Sequence, residues 1–566
     1  MSRRRILLLF FGVWLLYLAV GVYLAADARV YFGDSLSRVQ AAQSVLFSRD
    51  PHLSAIGFIF TPLTAIVQLP MTVFTPWFPA ITTSALSAAV MSSGFMAGSV
   101  VQLTGIARDR GLSPVISIAV TVCYAANPMI ILYAANGMSE APYLFFLAWA
   151  VRRGMRWADT DDVHDLVTTG MALGFAYLTR YDGAAAALGA GLLVAVTTYR
   201  RADRTDRIPR VLLDVLLVAL PSAAAFLIWA FTSWLITGNL FAQFSSEYGN
   251  AAIIEQSGGS GSTTAVDALQ FSIIETAILT PLFPILFATV VIFRRRQHRL
   301  YPLLAPVPLI GGVLLFQFIS YARGSTFGFL RFYITVILLT AIVALLAVPA
   351  RRDPPARRLG THADLPTIPP ERRRTVTALT ALAIVAVLVA IPVTAVGMRS
   401  PKYAPQEFAF NSLVRPDPDA VDQRTLDAKK VLRSFSTERA IAQYLDRMNL
   451  PDGSVLTDTV YGFAVVAQSA RPKQFVIPSD QDFTEILNDP AAHGVRFLLS
   501  VPNEGRGTSD ALNIRFPTLY ETGAGVGALI MEAPNQGTDL PDWRIYRVSP
   551  SADLIDVDTG TGDDTN

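Results

Sequence analysis

The side chains with the most chemical promise stand at the ends of apolar blocks. Asp34 lies a few residues beyond the first block, in Asp27-Ala-Arg-Val-Tyr-Phe-Gly-Asp34-Ser-Leu-Ser-Arg38. A carboxylate at a membrane surface, ahead of a short amphipathic stretch, suits a general base working on a lipid-linked substrate. The same position also reads as a helix N-cap, since Asp before Ser-Leu-Ser-Arg is a favoured helix start. One carboxylate can fill both roles, and Asp27 is the second candidate for the base. Glu140, in Asn136-Gly-Met-Ser-Glu140-Ala-Pro142, stands where a fourth apolar span begins. A charge entering the membrane there faces a polar cavity or gains from the helix dipole. Leu178-Thr-Arg180-Tyr-Asp182-Gly183 is a tight turn between two spans, in which Arg180 and Asp182 can pair. Arg323 and Arg331 flank Gly-Ser-Thr-Phe-Gly-Phe-Leu and, like Arg180, run against the charge bias of the loops. Guanidinium groups bind phosphate bidentately, so a lipid phosphate is one partner for these three arginines; snorkelling to headgroups is the other reading.

The elements that must position these groups are membrane helices. The 566 residues are 52% hydrophobic and only 16% charged, against about 25% charged in soluble domains. A span needs roughly 20 apolar residues, and about eleven segments qualify: 6–26, 81–105, 113–133, 138–151, 166–180, 183–199, 211–236, 271–293, 301–320, 328–349 and 375–397. The first follows Met1-Ser-Arg-Arg-Arg5 and is too long for the apolar core of a signal peptide, so it reads as an uncleaved span. The basic clusters Arg3–Arg5, Arg108/Arg110, Arg152/Arg153/Arg156, Arg200–Arg210, Arg294–Arg299 and Arg351–Arg374 fall on one side if every candidate is real. Lys and Arg gather in cytoplasmic loops, so the N-terminus is expected inside and the C-terminal region outside.

Cys123 is the one cysteine, so no intramolecular disulfide forms. The five histidines are scattered without metal-ligand spacing, and no metal site is read from the sequence. The net charge of +2 identifies no partner, and nothing points to nucleic acid. The Arg-rich, Lys-poor basic set hints at a GC-rich bacterial genome.

Residues 34–80 are apolar but interrupted by Pro51, Pro62, Pro70, Pro76 and Pro79. Within them Leu36, Val39, Gln43, Leu46 and Phe47 recur mostly at helical spacing, with Ser37, Arg38 and Ser44 between, which predicts an amphipathic helix in the interface. Ser257–Ser262 is a Gly/Ser-rich outer loop that reads as a substrate lid or as disorder.

Beyond Pro392 the composition changes. The expected organisation is a membrane unit over 1–397, a Pro- and Asp-rich linker over 398–422, an α/β domain over 423–550, and a disordered acidic tail over 551–566. In the third part Ile441, Tyr444, Leu445 and Met448 mark a helix, as do Phe483, Ile486 and Leu487. Val455–Thr457, Phe475–Ile477, Val495–Val501, Ala528–Met531 and Trp543–Val548 read as strands, giving a small α/β layer. Gly523-Ala-Gly525-Val-Gly527 lacks a strand before it and a helix after it, so it reads as a turn and not a phosphate loop. Asp417-Pro-Asp419 reads as linker rather than as a metal pair.

The whole layout resembles the GT-C superfamily of integral-membrane glycosyltransferases, in particular protein O-mannosyltransferases and the lipid A aminoarabinose transferase. The resemblance rests on many spans, a first outer loop with an acidic residue and interfacial helices, and an outer C-terminal domain. Gly33-Asp34-Ser35 matches the place of the acidic base in that loop, and Thr179-Arg-Tyr-Asp-Gly183 is similar to the Arg-x-acidic-Gly turn of some members. It implies transfer of a sugar such as mannose or arabinose from a polyprenyl-phosphate donor to a cell-envelope glycan, glycolipid or protein, outside a bacterial inner membrane. Asp34 would be the base, with inversion expected. Asp27, Glu140 and Asp182 would shape the acceptor and sugar pocket, and Arg180, Arg323 and Arg331 would bind the lipid phosphate. A divalent metal stays open. A transporter or lipid flippase is the alternative, which would call for internal repeats and charges at the midplane; a non-enzymatic receptor using the outer domain is a third reading.

Overall fold

A computed structural model describes residues 3–242, 254, 264–296, 303, 305–348, 370–416 and 422–549. Ser257–Ser262, Asp417–Asp419, most of the Arg351–Arg374 cluster and the acidic tail lie outside the described residues. The protein is a multi-pass membrane protein, mostly helical, with a small C-terminal α/β domain. Six helices of the described residues are long and apolar enough to cross a membrane, and eight if each bent pair is one span. Glu140–Thr160 falls outside that set because it carries charge, and Val163–Thr179 and Pro306–Ala322 because each has 17 residues. The two bent pairs turn by 62° at Asn127-Pro128 and by 86° at Thr280–Leu282, where Pro281 sits. Proline supplies no N–H to continue a helix and disfavours helical backbone before it, which accounts for both breaks.

Burial sorts these helices by solvent. Leu330–Ala347 is 94% buried and forms the central column, whereas Arg3–Ala28 and Arg207–Thr237 are only 11% and 17% buried. Their outward Leu8, Leu16, Leu212 and Leu227 match a hydrocarbon surround. The proline-rich stretch after Pro51 is inside out. It breaks into short turns, Leu63–Ile66, Leu69–Thr72 and Ala80–Thr83, with Thr64, Gln68, Thr72 and Ser87 buried. Its Phe74, Trp77 and Phe78 are exposed. Inward polar groups bond one another: Ser87 Oγ donates to Gln68 Oε1 at 2.8 Å, and Thr72 Oγ1 to the Gln68 carbonyl at 3.0 Å.

The predicted helix after Asp34 exists as Gly33–Phe47. Its apolar residues meet protein: Leu36 and Val39 pack with Phe435, Phe463, Ala464 and Ala467 of the C-terminal domain. Arg38, expected on a polar face, is buried.

Two arginine groups need a different account from the loop charges expected of them. Arg152, Arg153 and Arg156 lie inside Glu140–Thr160, not after a short span ending at 151. Arg152 Nε donates to Asp109 Oδ2 at 2.7 Å, while Arg153 and Arg156 share Asp165 at 2.7 and 3.0 Å. Ion pairing to neighbouring helices lets the helix continue through its arginines. Arg294 likewise ends Phe283–Arg296 buried, donating to the Leu346 carbonyl at 2.6 Å.

The C-terminal domain holds a five-stranded sheet ordered β2-β1-β3-β5-β4. Its strands are β1 (Val455–Leu456), β2 (Phe475–Val476), β3 (Phe497–Ser500), β4 (Gly527–Ala533) and β5 (Trp543–Val548). β1 pairs in parallel with β2 and β3, and β5 pairs antiparallel with β3 and β4. Two apolar clusters, around Ile441 and Val465 and around Ile486 and Leu512, cover the sheet. The glycine-rich Gly523–Gly525 is a turn leading into β4. A helix over Thr459–Gln468 was not legible from periodicity, because nearly all its residues are buried.

Candidate functional site: an arginine-carboxylate cluster

Four segments distant in sequence bring their polar ends together. Gly33–Phe47 supplies Asp34 and Arg38, the start of Glu140–Thr160 supplies Glu140, the turn after Val163–Thr179 supplies Arg180 and Asp182, and the short turn Leu330–Tyr333 supplies Arg331. Asp34 is the second residue of its helix; Phe32 holds the cap position, and no side chain caps it. The N-cap reading is therefore corrected. The carboxylate is free of the backbone and turns to Arg331, whose Nη1 and Nη2 donate to Asp34 Oδ2 at 3.1 and 3.2 Å.

Arg331 Nη1 also lies 3.7 Å from Glu140 Oε1. Glu140 Oε1 accepts from Arg180 Nη1 at 2.7 Å. Arg180 Nε then reaches Asp182 Oδ1 at 3.2 Å, and Gln317 Nε2 donates to Asp182 Oδ2 at 2.9 Å. Arg38 Nη1 donates to the Asp34 carbonyl at 3.0 Å, with its guanidinium 4.4 Å over the Phe60 ring. Aromatic faces also flank the other two cations: Phe332 lies 5.5 Å from Arg180 and 5.1 Å from Arg331. Three guanidiniums and three carboxylates thus interlock, with formal charges in balance.

The members differ in access. The Glu140 side chain is 1% exposed and that of Arg331 7%, whereas that of Asp34 is 38% exposed. Burial raises the Asp34 pKa, but Arg331, Arg38 and Arg180 more than offset it, leaving the carboxyl below its ordinary value. It is ionised at neutral pH and open to an incoming group. Several atoms have no hydrogen-bond partner among the described residues: Arg331 Nε, Arg38 Nε, Glu140 Oε2 and Tyr143 Oη.

Of the residues singled out in the sequence, Asp34, Glu140, Arg180, Asp182 and Arg331 come together. Asp27 and Arg323 do not. Asp27 is exposed in the helical end Tyr23–Ala28, and Arg323 is exposed at the end of Pro306–Ala322. Arg38, Gln317, Tyr133 and Glu407 escaped the sequence reading. Arg38 carried a signal, four residues from Asp34 on one helix, and Gln317 was a lone amide in an apolar helix. Glu407 lies in the stretch expected as linker, where Ala404, Glu407 and Ala409 are buried. Tyr133 Oη donates to Glu407 Oε1 at 2.6 Å. Burial pushes the Glu407 carboxyl up to about 7, against the pull of the Tyr133 bond. Among the described residues no three His, Cys, Asp or Glu side chains gather as a metal site.

The sequence matches no protein-family model and no curated protein. Among solved structures, ArnT from Cupriavidus metallidurans bound to undecaprenyl phosphate superposes with a TM-score of 0.55 at 14% identity, covering 97% of this chain and 99% of its own. The Archaeoglobus fulgidus oligosaccharyltransferase covers 87% of this chain and 68% of its own with a TM-score of 0.43 at 10% identity. The Saccharomyces cerevisiae Pmt1-Pmt2 complex bound to the sugar donor covers 42% and 34% with a TM-score of 0.32 at 14% identity. The fold assignment rests on the first, which spans both the membrane helices and the C-terminal domain. This chain has the fold of the GT-C integral-membrane glycosyltransferases.

Proposed function

We propose that this protein is a glycosyltransferase that moves a sugar from a polyprenyl-phosphate donor to a hydroxyl of a cell-envelope glycan, glycolipid or protein. The observation that carries the reading is the half-open Asp34 carboxylate held against Arg331, with Arg38 and Arg180 beside it. The ArnT structure of the same fold is bound to undecaprenyl phosphate, a lipid of the class this cluster suits.

In the proposed reaction the donor phosphate lies against Arg331 and Arg38, whose buried Nε–H groups have no partner among the described residues. Asp34 takes the proton of the acceptor hydroxyl as that oxygen attacks the anomeric carbon in line. The bond from that carbon to the phosphate oxygen breaks with inversion, and the electron pair leaves on the phosphate. A phosphate monoester has a second pKa of about 6, so it departs without a general acid, and the arginines stabilise the charge it gains. The proton on Asp34 passes to water. Glu140 and Asp182 are engaged by Arg180, so their first task is to aim that cation. Arg323 and Asp27 have no part in this scheme.

We place the cluster, the C-terminal domain and the reaction on the outer face of a bacterial inner membrane. Glu140–Thr160 begins at the cluster and carries its arginines in the far half, where Arg153 and Arg156 pair with Asp165. Its 21 residues span about 30 Å, the thickness of a bilayer core. The proposed division into a membrane catalytic unit, a connecting segment and an outer domain follows the same axis.

The test is transfer from radiolabelled polyprenyl-phosphate sugars, mannose and arabinose among them, by purified wild type and Asp34→Asn. The expected loss is about 10²–10⁴-fold, the usual share of a general base. Wild-type transfer rates in Asp34→Asn would overturn the assignment.

A further inference from the structure

Asp34 is one residue into a helix, Gly33–Phe47, packed on two sides. One side rests on the membrane unit, where Gln43 Nε2 donates to Thr82 Oγ1 at 3.2 Å and Leu36 and Val39 share a cluster with Ala85 and Ala88. The other side meets the C-terminal domain along the length of the helix. At the N-terminal end a Cβ on Gly33 would stand 3.3 Å from Phe435 Cζ and 4.0 Å from Phe463 Cζ. Phe435 holds φ at +65°, a left-handed conformation disfavoured for an aromatic residue, and its ring joins Tyr31, Leu36 and Val39 in one apolar cluster. Midway, Gln43 Nε2 donates to the Ser469 carbonyl at 3.4 Å. Just past the C-terminal end, Arg49 Nε donates to Asp480 Oδ2 at 3.2 Å and Nη1 to Asp482 Oδ2 at 3.0 Å, and Nη2 also meets Asp482 Oδ1. The Gln481 amide donates to Asp50 Oδ2 at 3.1 Å. The approach is secured on the other side of Asp34 as well: Phe32 stacks on Phe410 at 5.8 Å.

We infer that the C-terminal domain is the positioning device for Asp34, gripping its helix between Phe435 at one end and the Arg49–Asp480–Asp482 fork at the other. This inference rests on Asp34 being the base. The physical need is plain: a reacting group must be held within about 0.5 Å of its working geometry. A 15-residue helix is a rigid rod of about 22 Å. Fixing both ends fixes the tilt of the rod, and with it the reach from Asp34 to Arg331. Arg49 touches none of the reacting groups and acts through the helix.

The test is steady-state transfer by the full-length enzyme carrying Arg49→Glu, Arg49→Lys, Arg49→Glu with Asp482→Arg, and Asp34→Asn. Arg49→Glu places like charges at the fork. It is expected to lower kcat at least tenfold while the donor KM stays within twofold, and the double variant is expected to regain most of that loss. Arg49→Lys, which keeps the charge without the fork, is expected to fall between, and it carries the test should Arg49→Glu not accumulate. Loosening the helix weakens the hold of Arg331 and Arg180 on Asp34, while Arg38 moves with the helix, so the acid limb of the kcat/KM profile should move to higher pH. Wild-type kcat and an unmoved acid limb in Arg49→Glu or Arg49→Lys, with Asp34→Asn inactive, would overturn the positioning role and leave the base in place. An active Asp34→Asn would overturn both.

Discussion

Glu140 is the sharpest place to perturb the cluster, because one buried oxygen serves two cations. Glu140→Gln keeps the shape and removes the charge. Arg180 then loses a 2.7 Å contact and Arg331 a 3.7 Å one. Breaking a buried ion pair from one side costs about 3–5 kcal/mol. Arg180 keeps Asp182 and Arg331 keeps Asp34, and Gln still offers a carbonyl oxygen, so the loss should sit at the lower end, about 3 kcal/mol. The formal charge of the six groups moves from balance to one excess positive charge. An anion should therefore bind better in the ground state. The expected outcome has two parts: a lower thermal-unfolding midpoint in detergent, compared at one scan rate, and tighter binding of polyprenyl phosphate with slower sugar transfer. Glu140→Gln that melts with wild type and binds the lipid phosphate no more tightly would refute the reasoning.

Three further outcomes are expected. Gly137 has φ +75°, and an added Cβ would stand 2.3 Å from Ser35 Oγ and 2.5 Å from Ala88 Cβ; Gly137→Ala should displace the residue next to Asp34, lowering both the unfolding midpoint and transfer. Glu407 has its pKa raised by burial to about 7, so the folded state binds the proton more tightly than the unfolded chain, and this contribution to stability is full below about pH 4.5 and falls as pH rises to about 7. The fall amounts to about 3 kcal/mol, and unfolding midpoints measured from pH 4.5 to 8 should fall more steeply in wild type than in Glu407→Gln, where the other buried carboxyls such as Asp480 still contribute. Asp27→Asn and Arg323→Ala remove exposed charges outside the cluster, so both should stay within about 0.5 kcal/mol of wild-type stability and transfer sugar at wild-type rates.

The sequence made the ends of the story legible and hid the middle. Asp34, Glu140, Arg180, Asp182 and Arg331 stand out because each is a charge at the edge of an apolar block, where desolvation demands a reason. What local pattern does not carry is who meets whom: Asp34 and Arg331 are 297 residues apart, and only the packing of the central Leu330–Ala347 column brings them together. Arg38 was misplaced for a related reason. Amphipathic spacing assigns a lone arginine to solvent, but here it turns toward the cluster, where Phe60 and the Asp34 carbonyl take the charge. Asp27 and Arg323 show the converse. Proximity in sequence to an apolar block marks them, yet both side chains are exposed and turn away from the cluster's partners. The strands of the C-terminal domain stand out as short apolar runs, whereas Thr459–Gln468, buried nearly all round, has no periodicity to read.

In the proposed reaction the arrangement of Asp34 and Arg331 also bears on when Asp34 would act as the base. Before a donor arrives, Arg331 spends its Nη atoms on Asp34, and that contact holds the carboxyl at low basicity. In the proposed reaction the donor phosphate is a second claimant for the same guanidinium. A phosphate oxygen drawn to Arg331 shares out its positive field and leaves Asp34 less well paired, hence a stronger base. The proton acceptor is then strengthened by the arrival of the leaving group it must serve. An acceptor alone meets a carboxylate tied to its arginine, which disfavours wasteful deprotonation. Arg331→Lys separates the two roles, because an ammonium is a point charge without the fork that can hold two partners at once. That variant should lose transfer while binding of the acceptor is unchanged, and the acid limb of its kcat/KM profile should lie above that of wild type. An acid limb that stays put in Arg331→Lys would show that the arginine does not govern the basicity of Asp34.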